Sequence, residues 1–77
     1  MDRVIERIKG YFDTRYSGTL EPDDRLFEVG ALDSMGVMEL VPYLEQEFEI
    51  QVEPEDMVEE NFVTLRAVAD LVREKSE

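Results

Sequence analysis

The chain contains no cysteine, no histidine and no tryptophan. Without cysteine there is neither a disulfide framework nor a thiol nucleophile, and without histidine the common zinc sites and serine–histidine pairs are excluded. No apolar run approaches the roughly 20 residues that span a bilayer, and the N-terminus lacks the apolar core of a signal peptide. A soluble, cytoplasmic protein with no membrane insertion is therefore expected. Basic residues are also scarce: eight Lys and Arg face twenty Asp and Glu, giving a net charge of −12. That sign disfavours nucleic acid as a partner.

What remains reads as one small helical domain over residues 1–77, without repeat, low-complexity segment or internal boundary. A hydrophobic content of 43% is enough to build a core. The patterning predicts an all-α fold, a small bundle of three main helices and one short one, with a long loop between the first two. Asp2 can cap a first helix whose stripe is Val4, Ile5, Ile8, Tyr11 and Phe12. That helix should end near Arg15–Ser17, with Gly18 as its stop. Gly10 inside it costs about 1 kcal/mol relative to alanine. The loop from Ser17 to Leu32 is expected to be ordered, turning at Pro22 and pinned by Leu26, Phe27, Val29 and Leu32. Beyond the second helix, Ile50 and Val52 should anchor a connection to a short helix. Pro54 opens that helix, Met57 faces inward from it, and it ends near Glu60–Asn61. Phe62 bridges to a last helix capped by Thr64, with Leu65, Val68, Ala69 and Val72 inward and Arg73 and Lys75 near its negative end.

The stretch Gly30-Ala31-Leu32-Asp33-Ser34-Met35-Gly36-Val37-Met38-Glu39-Leu40 organises the rest. It passes from loop to helix at Asp33–Ser34, two residues that favour a helix start. Val37, Leu40, Val41, Leu44 and Phe48 then recur at helical spacing to about Phe48. A serine hydroxyl therefore stands at the positive end of a helix dipole. On the other side fall Met35, Met38, Glu39, Pro42, Gln46 and Glu49, with Glu45 at the margin. Methionines beside carboxylates make an adaptable, oriented contact surface, although Met35 and Met38 could instead pack beneath the loop. Pro42 deletes a helical hydrogen bond and either kinks or breaks the helix.

Leu32-Asp33-Ser34-Met35, with Glu39 and Leu40 five and six positions after the serine, resembles the attachment motif of the acyl carrier protein family. Met35 stands where the family usually has leucine, a volume-conserving exchange. Gly36 and Pro42 depart from the acidic or polar residue and the ordinary helix former found there. The resemblance implies phosphopantetheine esterified to Ser34, with Asp33 as its motif neighbour. It also implies a docking surface at Met38, Glu39, Pro42 and Glu45, to which the outward Met35, Gln46 and Glu49 are added. The implied partners are a phosphopantetheinyl transferase and acyl or aminoacyl ligases, synthetases and transferases with basic docking patches.

Charge distribution fits that picture. From Leu26 to Leu65 there are eleven acids and no Lys or Arg. A solvated surface kept for solubility is one explanation, but the separation of bases from Ser34 favours steering of basic partners toward it. The expected function is a monomeric carrier, not an enzyme, holding acyl thioesters for fatty-acid or polyketide-type synthesis. Leu-Asp-Ser-Met-Gly also resembles discrete D-alanyl and other aminoacyl carriers, which is the alternative. A different alternative is an unmodified acidic interaction module. Ser34 as a hydrolytic nucleophile is poorly supported, because there is no histidine base and no nucleophile-elbow sequence.

Overall fold

Helix α1 spans Arg3–Asp13, opened by Asp2, whose carboxylate accepts the N–H groups of Val4 and Ile5. The computed structural model describes residues 2–76. Ile5, Ile8, Tyr11 and Phe12 are buried, and Val4 is half-buried at their edge. The helix stops earlier than expected, at a right-handed cap on Thr14, well before Gly18. The Arg15 and Tyr16 N–H groups turn back onto the Phe12 carbonyl, ending the regular ladder. Arg15 also lays its guanidinium over the Tyr11 ring at 3.9 Å, a local stabilisation that sequence periodicity does not reveal.

Gly10 is exposed, and a Cβ placed there meets nothing within 4 Å. Gly10→Ala is therefore expected to stabilise the protein by about 1 kcal/mol. Urea unfolding followed by circular dichroism checks this, and an unchanged or lower midpoint counts against it.

The loop between α1 and the next helix is ordered because the last helix holds it. Leu26 N–H donates to the Val63 carbonyl (2.9 Å) and Arg66 N–H to the Pro22 carbonyl (3.1 Å). Arg66 grips Asp23 through two hydrogen bonds, which hold the Asp23 carboxyl below the usual carboxylate range. Leu20, Leu26 and Leu32 enter the core, while Phe27 is half-buried. Val29, expected as an anchor, is 42% exposed. It lies in a turn folded on the Arg25 carbonyl, which directs it away from the interior. Gly30 follows at φ +82°, a conformation that favours glycine and lets the Ala31 and Leu32 N–H groups both reach the Leu26 carbonyl.

Helix α2 runs unbroken from Ser34 to Phe48, and α3 from Leu65 to Lys75, capped by Thr64. The expected short helix is instead two single 3₁₀ turns, Pro54–Asp56 and Glu59–Asn61. Met57 and Val58 separate them, and Met57 is 40% exposed, so it is not the inward anchor it was expected to be. Ile50 and Val52 are half-buried. Among the described residues there is no strand, and no helix is long and apolar enough to cross a membrane. Leu40 and Leu44 of α2 meet the α1 residues and Leu65, Val68, Ala69, Leu71 and Val72 of α3 in one core around Phe62. Tyr43 locks α1 to α2 by donating its hydroxyl to the Arg7 carbonyl (3.1 Å) and packing on Tyr11.

Candidate functional site

Asp33, not Ser34, caps α2: its carboxylate accepts the Gly36 N–H at 2.7 Å. Ser34 is the first helical residue, is exposed, and makes no side-chain hydrogen bond among the described residues. A serine serving only as a cap spends its oxygen on the helix's own N–H groups. Here Asp33 has that role and the Ser34 hydroxyl stays available. Gly36 fits the same geometry, because a Cβ there would lie 3.1 Å from Leu32 Cδ1 and 3.2 Å from the Asp33 cap oxygen.

Beside the hydroxyl lies a cleft of about 240 Å³. Phe27 and Phe62 form its inner part, Val37 and Met38 the α2 side, and Met57, Val58 and Glu59 the opposite wall. A phosphodiester on Ser34 fits this position on two counts. The positive end of a 15-residue helix favours its charge, and the apolar cleft offers a surface to an arm extending from it.

The other sequence-selected residues separate into two groups. Met35 and Met38 are 74% and 71% exposed, so neither packs beneath the loop. Glu39, Pro42, Gln46 and Glu49 are exposed with them on the outward side of α2. Pro42 leaves the helix continuous, because its missing hydrogen bond falls on the solvent side. Glu49 ends the helix in the left-handed region at φ 54°. Glu45 stands at the margin of that surface, as expected, with its carboxylate partly committed. It is half-buried, and its carboxylate accepts the Val52 N–H at 3.0 Å, tethering the connection after α2.

Folding also returns some bases to the acidic stretch. Arg7 pairs with Glu47, Arg25 with Glu28 and Lys75 with Asp56. Glu39, Glu49, Glu55, Glu59 and Glu60 remain exposed, and among the described residues no base pairs with them. The negative field is therefore retained around α2 and the 3₁₀ turns. Among the described residues no cluster of acids is arranged to hold a metal ion. Sequence reasoning missed Phe62, Val58 and Glu59 as cleft residues, since only tertiary packing brings them to Ser34.

A family model described as a phosphopantetheine attachment site matches residues 3–72. The chain belongs to this family. It is a phosphopantetheine-binding carrier protein of the acyl carrier type, and the family's prosthetic group is held covalently. Among similar proteins, the D-alanyl carrier protein of Streptococcus uberis is 34% identical over 73 residues, covering 92% of each chain. That of Lactococcus lactis is 36% identical over 74 residues, covering 96% of this chain and 89% of the relative. The D-alanyl carrier protein of Streptococcus sanguinis is 35% identical over 71 residues, covering 92% and 87%.

Proposed function

We propose that Ser34 is the phosphopantetheine attachment residue and that the arm carries a small aminoacyl group, D-alanine being the first candidate. The observation behind the attachment point is the division of labour at the start of α2, where Asp33 closes the helix and leaves the Ser34 hydroxyl exposed and uncommitted. Phosphopantetheine supplies a terminal thiol on which cargo is held as a thioester. The chain's own residues display the serine, place its phosphodiester at the helix dipole and surround the site with negative charge. On this reading the protein is a carrier and not a catalyst.

The names of the relatives favour aminoacyl cargo over the fatty-acid or polyketide cargo expected first. Charge supports the same choice. A thioester-bound amino acid keeps its ammonium, which suits a cleft lined by Glu59 within an acidic surface. A fatty acyl chain gains nothing from those carboxylates. Partners would be a phosphopantetheinyl transferase and a ligase with basic docking patches.

The test is loading of phosphopantetheinylated protein in parallel reactions, one with ATP, D-alanine and a D-alanine:carrier ligase, the other with a long-chain acyl synthetase. Intact mass should rise by one alanyl group in the first, and hydroxylamine should remove it as expected of a thioester. Efficient long-chain loading with no alanyl loading overturns the cargo assignment.

A further inference from the structure

The segment that walls the cleft opposite α2 has no buried side chain from Gln51 through Asn61. Met57 and Val58, its contribution to the cleft, are 40% and 41% exposed. Packing alone therefore does little to hold it in place, and its position depends on polar ties. Most of these converge on Asp56. Its carboxylate accepts the Glu53 N–H at 2.9 Å, and its carbonyl accepts the Asn61 amide N–H at 2.8 Å, joining the two 3₁₀ turns. Lys75, in the last turn of α3, reaches the same carboxylate at 2.6 Å. The Asp56 and Lys75 side chains are 13% and 22% exposed, the most covered ion pair among the described residues.

We propose that the Asp56–Lys75 pair is a latch that positions Met57 and Val58 as the wall of the cleft beside Ser34, and so sets how far the carried group is shielded from water. The shielding half of this rests on the carrier reading; the wall-positioning half does not. Lys75 is anchored on the helix that supplies much of the core, so the latch ties a lightly packed wall to a firmly packed element. The Lys75 ammonium is the main influence holding the Asp56 carboxyl below the usual carboxylate range. The pair therefore stays charged at neutral pH. Lys75 and Asp56 are positioning residues, acting on the site through Met57 and Val58.

The experiment compares wild type, Lys75→Met, which keeps the aliphatic stem, and Lys75→Arg, which keeps the charge. Amide hydrogen exchange is measured on unmodified protein. An environment-sensitive fluorophore is then attached to the arm thiol of phosphopantetheinylated protein. Lys75→Met should speed exchange at Met57 and Val58 by roughly fivefold, with little change at Val68 in the middle of α3. Its fluorophore emission should move toward that of the free probe, and Lys75→Arg should resemble wild type in both readouts. Unchanged exchange at Met57 and Val58, or equal acceleration through all three helices, overturns the latch. Unchanged emission beside faster local exchange overturns the shielding. Failure of the arm to attach counts against the carrier reading, whereas the exchange data still judge the wall.

Discussion

Pro42→Ala is expected to raise stability by about 2 kcal/mol, a large gain for a protein of this size. Helix α2 continues through Pro42 from Ser34 to Phe48. The proline cannot donate to the Met38 carbonyl, and its ring crowds that group, which costs on the order of 3 kcal/mol in a helix interior. Alanine restores the donor and relieves the crowding. The loss of proline's restraint on the unfolded chain offsets about 0.4–1 kcal/mol of that gain. Pro42 is exposed, so the replacement opens no cavity in the core. Denaturant unfolding measures the outcome, and a midpoint at or below wild type contradicts it. Pro42 lies two helical turns beyond Ser34, so the rate of modification should stay near that of wild type.

The second large effect concerns the field around the serine. Replacing Glu39 and Glu59 by arginine is expected to slow phosphopantetheine transfer by about tenfold at low ionic strength. Glu39 is exposed on α2, and Glu59 lines the cleft that Ser34 borders. Added salt should narrow the gap, since screening shortens the reach of exposed charges to about 8 Å at physiological ionic strength. The matched control replaces Glu6 and Asp13 of α1, both exposed, by arginine and changes net charge by the same amount. It should react nearly as wild type does. Equal slowing of both double variants would show that total charge matters and its placement does not.

Local chemistry made much of this molecule readable from its sequence. Asp2 and Thr64 cap their helices as the residue types dictate, and the periodic stripes of α1 and α3 are buried apart from Val4, which is half-buried at the edge. Asp33–Ser34 marked the start of α2, but which of the two would act as cap depended on side-chain geometry. The differences arise where distant parts of the chain meet. Glu45 falls at the margin of the outward face, but its bond to the Val52 N–H was not readable, and Leu20 gave no periodic signal because it stands alone in a loop. Val29 and Met57 are apolar residues in turns whose backbone bonds set their direction. The short helix divided at Met57–Val58 because each turn closes on its own i,i+3 bonds, from Met57 to Pro54 and from Phe62 to Glu59. The cleft beside Ser34 was unreadable for the same reason: its walls come from the loop, α2 and the 3₁₀ segment.

The proposed carrier role depends on the Ser34 oxygen being open to another enzyme. The most direct measurement is intact mass after incubation with a broad-specificity phosphopantetheinyl transferase and coenzyme A, on wild type and Ser34→Ala in parallel. Ser34→Ala should keep its helical circular dichroism, because Asp33 supplies the cap. Wild type should gain the mass of one phosphopantetheinyl group and Ser34→Ala should gain none. An unmodified wild type, or the same gain in the folded variant, contradicts the assignment.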